Sequence, residues 1–261
     1  MAPWTAFPHA GDYAFNAAAV RKQWARLHAG DAEPCPKETA LLDAWALFHN
    51  GDFQEAATAG LEAADAGLAG GLTVANKATC LYANYLEKKE KAKLELFLEV
   101  AGRAEAQAAN DPKNASAWYW QAYALGRYSQ GISVAKALAQ GLGGKVKEAL
   151  ERTIQLNPKH ADAHIALAAF HAEVIDKVGP LIGGMTYGAK KDIGLRLFQE
   201  ALKLNPGSAI GMIEYANGLV MLEGDRKMKE ATRLYEQAAT SKPADAAERL
   251  DVEMARAELE E

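Results

Sequence analysis

A chain of 261 residues with 49% apolar content is long enough to bury a sizeable core, and its 34 acidic against 29 basic side chains leave a net charge of -5. That balance lacks the basic excess that phosphate backbones demand, which argues against a nucleic-acid partner. The longest apolar run, Ile165 to Phe170, is far too short to span a bilayer. Cys35 and Cys80 stand alone without paired spacing, so neither a disulfide framework nor a zinc site follows from them. Met1 to Val20 carries Asp12 and Asn16 and assembles no apolar signal region, so the expectation is a cytoplasmic protein.

Residues 1–36 read as an accessory segment. One short amphipathic helix places Val20, Trp24 and Leu27 on a single face, and a linker from Gly30 to Pro36 follows it. The i, i+4, i+7 spacing predicts that this helix docks on the remainder, residues 37–261. There Ala44 and Ala56 bracket Asn50-Gly51-Asp52-Phe53, a turn in which glycine supplies a left-handed cap. A second helix pair is predicted roughly from Thr73 to Ala109, broken near Lys88 to Lys91, with Val100, Ala104 and Ala108 as a small-residue stripe. The final segment from Asp245 has that residue as an N-cap candidate, and it carries Leu250, Met254 and Leu259 as a capping helix would.

Between these ends a proline recurs in Asp111-Pro112, Asn157-Pro158, Asn205-Pro206 and Lys242-Pro243. Counting back twelve and eight residues from the last three gives Val146 and Leu150, Gly194 and Phe198, Ala231 and Tyr235; counting forward ten from the first three gives Ala122, Ala168 and Ala216. Apolar residues recur at i, i+3, i+4, i+7 and i+8 before each of the last three prolines. A helix with such a stripe must pack on its partner and on the next pair, so the chain reads as an all-α helical repeat protein.

The run from about Ser116 to Ala239 resembles tetratricopeptide repeats. The family's slots are filled by Trp118 and Ala122, by Leu167, Ala168, Phe198, Ala201 and Pro206, and by Ala216, Ala231, Tyr235, Ala238 and Pro243, with His164, Met212 and Thr153 as departures. The resemblance implies a right-handed solenoid of stacked antiparallel helix pairs with a C-terminal capping helix. The family repeats about every 34 residues. Pro206 to Pro243 is 37 residues, but Pro112 to Pro158 is 46 and Pro158 to Pro206 is 48. Two repeats therefore carry extra sequence between their first and second helices, at Ser129–Lys145 and Lys177–Lys190. Paired insertions with Trp118-Tyr119-Trp120 upstream look like the helical domain of the regulator of microtubule dynamics family, and more distantly like the T component of TRAP-type transporters. Both imply partner binding without catalysis.

In tetratricopeptide proteins the ligand surface lies on the first helices. The matching positions here include Ser116, Tyr119, Tyr123 and Arg127, then Asp162, Ile165 and Glu173, then Ile213 and Asn217. The implied groove is aromatic and aliphatic and suits a protein or peptide partner, with a small-molecule or lipid ligand as the alternative. A structural role also stands open, in which the helix around Trp24 covers part of that surface. The inserted Gly-rich segments read as flexible connectors. Leu181, Ile182, Met185 and Tyr187 offer an apolar docking tip there, and Lys145 and Lys190 a weaker anion contact, although no phosphate-loop pattern is complete. His160, His164 and His171 invite a metal reading by their i, i+4 and i, i+7 spacing, yet His160 lies before the helix and two turns separate His164 from His171 by roughly 10 Å, too far for one metal ion. They are expected to pack, with no metal and no cofactor. No GxSxG, no HExxH and no Cys–His pairing occurs, so the chain is expected not to be an enzyme.

Overall fold

The computed structural model describes residues 3–260. The described chain is helical, with no strand among the described residues, as the absence of period-2 patterning predicts. It divides into two compact units. The first comprises the chain up to His28, Glu33–Arg152 and Ala244–Ala247; the second comprises Ala29–Ala32, Thr153–Pro243 and the chain from Glu248 onward.

In the first unit, α1 (Ala17–Leu27) packs on α2 (Thr39–Asn50), and α3 (Phe53–Asp65), α4 (Gly71–Tyr85), α5 (Glu90–Asn110) and α6 (Ala115–Gln130) follow, each against its predecessor. Asn16 caps α1 by accepting from the Ala19 N–H at 2.9 Å, and Val20, Trp24 and Leu27 are buried as their spacing predicts. The α2–α3 turn closes on Gly51 at φ 93°, where its N–H reaches the Leu47 and Phe48 carbonyls. Any β-carbon there would collide with the Phe7 ring, so the position requires glycine for its conformation and for the close approach alike. The core gathers Leu41, Leu42, Phe48, Val74 and Phe97, all at or below 1% exposure. The short helix α7 (Val134–Ala139) and the first turn of α8 (Leu142–Leu156, assigned to the second unit from Thr153) occupy most of the segment expected to be a flexible connector.

The second unit contains α9 (Ala161–Tyr187), α10 (Lys191–Leu204), α11 (Ala209–Glu223), a 3-10 turn, α12 (Met228–Thr240) and most of α13 (Ala246–Glu260). Proline and cap act together at the helix boundaries. Asp111 and Asn205, immediately before their prolines, adopt nearly the same extended backbone (φ -132°, ψ 84° and φ -134°, ψ 80°) because the ring disfavours helix at the preceding residue. Two residues past the first three of the recurrent prolines, Asn114, His160 and Ser208 accept from the N–H groups of Ala117, Ala163 and Gly211 and start the next helix. The recurrent small slot is real: Ala122, Ala168 and Ala216 are exposed by 1% or less. Phe198 is fully buried and stacks on Tyr215 with ring centroids 5.3 Å apart. In α13, Val252 and Ala255 pack against Ala209, Ile213 and Ala238, whereas Leu259, expected on the apolar face, is 43% exposed.

The second inserted segment is the main departure from expectation. It is not a flexible connector: helix continues through it to Tyr187, bent at Gly179, whose φ of 81° and ψ of 158° no helical residue adopts. Glycine content lowers helix propensity and makes such a stretch read as loop, but Pro180 is well suited to the first turn of a new helix.

Candidate functional site

In the first unit the candidate residues lie on α6. Tyr119 and Trp120 are 5% and 4% exposed and meet edge-to-face at 4.9 Å, and Trp120 meets Tyr123 in the same way at 5.4 Å. Tyr123 is half-buried, and the Arg127 guanidinium sits 5.4 Å from its ring centroid while donating to Gln130 Oε1 at 3.2 Å. The structure thus brings Tyr119, Tyr123 and Arg127 together. Tyr119 forms part of the support, and the half-buried Tyr123–Arg127 pair lies beside it, a combination of flat apolar surface and fixed charge found at binding anchors. At the start of the same helix Ser116 donates to the Glu33 carboxylate, and the Trp24 indole donates to the Glu33 carbonyl at 2.7 Å. The linker therefore already occupies the Ser116 position.

In the same unit Arg103 on α5 is largely desolvated. It donates to Asn76 Oδ1 at 3.1 Å and to Glu99 at 2.9 Å, and burial pulls its pKa below the ordinary arginine value. The same burial pushes the Cys80 thiol far above its usual range, against the opposing influence of Arg103 and Arg127. Cys80 is consequently an inert packing group. With the native protein, a thiol reagent is expected to label exposed Cys35 and leave Cys80 unmodified until denaturant is added. Two labelled sites under native conditions, read by mass spectrometry, would contradict this burial.

In the second unit the candidates do not form one open surface. Ile165 lies in the core with Phe198 and Tyr215, and Ile213 lies in another cluster with Ala238 and Val252. Both are shut away from any ligand in this structure. The Asp162 N–H donates to the Gly30 carbonyl at 3.0 Å, and the Asn157 amide reaches the carbonyls of Asp31 and Ala32 at 3.5 and 3.4 Å. Residues 30–32 thus lie against the start of α9. Glu173 pairs with Lys177 at 3.1 Å, and Asn217 accepts from the Tyr235 hydroxyl at 2.7 Å.

The histidines serve the backbone. His160 Nδ1 accepts from the Ala163 N–H at 3.2 Å, His164 Nδ1 donates to the His160 carbonyl at 2.9 Å, and His171 Nδ1 accepts from the Lys190 N–H at 3.2 Å. Each is buried, and no cluster of metal-ligating side chains occurs among the described residues. Lys145 lies exposed in the first turn of α8. Leu181, Ile182 and Met185 are 74%, 57% and 81% exposed on the helix after the Gly179 bend, Tyr187 is half-buried at its end, and Lys190 is exposed just beyond.

Two features carry no sequence signal. The N-terminal segment packs on the first unit by stacking Trp4 on Tyr82 at 4.2 Å and by exchanging hydrogen bonds between the Phe15 backbone and the Asn50 side chain. His49 Nδ1 meets Asp245 Oδ2 at 2.6 Å, with side chains 0% and 5% exposed.

Comparison with known proteins follows this geometry. The model of the family described as regulator of microtubule dynamics protein 1-3 matches residues 71–260. No curated protein sequence matches the chain. Among solved structures, the crystal structure of TTC0263, a thermophilic TPR protein in Thermus thermophilus, aligns with a TM-score of 0.58 at 16% identity, covering 84% of this chain and 97% of that one. At that identity the likeness establishes a TPR-like helical fold and says nothing about ligands.

Proposed function

Because the chain belongs to the regulator of microtubule dynamics protein 1-3 family, we propose that it is a non-enzymatic helical-repeat scaffold of the cytoplasm that binds a protein or peptide partner. The contact surface in this reading is the α6 face carried by Tyr123 and Arg127. The observation that supports it most directly is their arrangement: a half-buried aromatic ring beside a guanidinium, backed by the buried rings of Tyr119 and Trp120. Such a pair is held in place before binding, so little side-chain freedom is lost on contact. Neither nucleic acid nor a cofactor has a part in this reading. Tubulin is the first partner to test, since the family's description names microtubule dynamics.

The test uses Tyr123→Ala with Arg127→Ala in the full chain. Both side chains are only half-buried, so the thermal melting profile is expected to change little. Binding to tubulin, or to a partner captured by affinity purification and identified by mass spectrometry, is expected to weaken by about 2 kcal/mol or more, the usual cost of truncating an aromatic or arginine anchor. Undiminished binding by the folded double variant would reject the α6 face. Tyr119 is unsuited to this test because it is buried, and its truncation would lower stability for reasons unrelated to binding.

A further inference from the structure

The helix after the Gly179 bend presents its apolar side outward, the reverse of what burial of apolar surface favours. Leu181, Ile182 and Met185, at i, i+1 and i+4, share the outer face at 74%, 57% and 81% exposure. The opposite side holds the element in place. Gly183 is buried so close to Val174 that an added β-carbon would lie 3.0 Å from Val174 Cγ1, and Tyr187 sets its ring edge-on to Phe170 at 6.4 Å. Its C-terminal end is fixed as well. The N–H groups of Gly188 and Ala189 close on the Gly184 and Gly183 carbonyls at 3.0 and 3.1 Å, and the next N–H, that of Lys190, is held by His171. Leu181, Ile182 and Met185 are therefore displayed by a braced element. The other large exposed apolar side chains among the described residues, such as Leu98, Met228 and Leu259, are spread along the sequence and are 37–46% exposed.

Three aliphatic side chains cover a few hundred Å² at most, well short of the roughly 800 Å² that each partner contributes to a stable protein interface. They also bring no hydrogen-bonding or charged group with which to specify a protein partner or a second copy. A lipid interface needs neither: it accepts apolar side chains singly, to a depth of about 5–10 Å. Charge near the tip cancels along the sequence, with Glu173, Asp176 and Asp192 against Lys177, Lys190 and Lys191, so attraction to anionic headgroups has no net source in this segment. No helix among the described residues is long and apolar enough to cross a membrane. From these observations we propose that the short helix after Gly179 is a membrane-docking tip, seating Leu181, Ile182 and Met185 in the acyl boundary of a lipid bilayer through apolar contact and independently of anionic lipid. This site shares no residue with the α6 face and stands whether or not that face binds a partner.

The test is co-sedimentation of the full-length protein with phosphatidylcholine vesicles and with vesicles that also contain phosphatidylserine, alongside size-exclusion chromatography over a range of protein concentrations. The wild type is expected to bind both vesicle types equally, with little response to added salt. The variant L181S/I182S/M185S is expected to keep its circular dichroism and melting temperature and to lose at least ten-fold in vesicle affinity, while Met185→Leu retains binding. If the triple variant fails to fold, Leu181→Ser alone, at the 74% exposed position, is expected to weaken binding in the same direction. Absence of wild-type binding to phosphatidylcholine would overturn the proposal. So would undiminished binding by the folded serine variant, or binding that requires phosphatidylserine and disappears in salt. Concentration-dependent self-association lost in the serine variant, without vesicle binding, would show the occupant to be a second copy instead.

Discussion

Phe198→Ala is expected to destabilise the protein by about 3–5 kcal/mol, the range for truncating a fully buried aromatic side chain. Phe198 is completely buried in α10, stacked on Tyr215 and surrounded by Ile165, Ala168, Ala201, Ala216 and Leu219. Its ring also lies so close to Gly218 that a β-carbon there would overlap it. The loss has two parts, the transfer of the ring's apolar surface and the cavity left where small neighbours cannot collapse inward. Alanines that allow close helix approach are the least able to fill that space. Urea unfolding followed by far-UV circular dichroism measures the effect. Phe198→Leu is expected to lose substantially less because it keeps most of the volume. A loss below about 1 kcal/mol for the alanine variant would be incompatible with this packing.

Breaking the His49–Asp245 pair is expected to cost a comparable amount. The two side chains meet at 2.6 Å with almost no solvent contact, and His49 is enclosed by the rings of Phe15, His28, Trp45 and Phe48. The other ring nitrogen, Nε2, is buried with no hydrogen-bond partner among the described residues, so the imidazole's one polar anchor is the carboxylate. Asp245→Ala strands the His49 imidazole in the interior and His49→Ala removes a buried partner of the Asp245 carboxylate; breaking a buried pair in this way typically costs about 3–5 kcal/mol. Both His49→Ala and Asp245→Ala are therefore expected to lower the urea midpoint strongly. The double variant is expected to lose less than the two single losses added together, because the bond between the two side chains is lost only once. Additive losses in that cycle would show that the pair is not energetically coupled. Asp245 belongs to the first unit with α2, so this bond holds residues 244–247 within that unit.

The helix boundaries were determined by the sequence because their causes are local. A proline ring restricts the residue before it, and a polar side chain two positions later accepts the first free N–H groups; both act within a few residues. The same holds for Gly51 and for the small slot at Ala122, Ala168 and Ala216, whose recurrence marks helix pairs. Tertiary structure decided the remainder. Ile165 and Ile213 occupy first-helix positions that carry ligands in tetratricopeptide proteins, yet both lie in the core, since register gives the face a residue occupies and only the neighbouring element decides whether that face is covered. The segment from Lys177 to Lys190 is rich in glycine and reads as loop, but Gly183 fits against Val174 and turns it into a braced helix. His49 and Asp245 lie 196 residues apart. No periodicity or cap links them, and their pairing arises only when folding removes both from water, where the imidazole depends on the carboxylate.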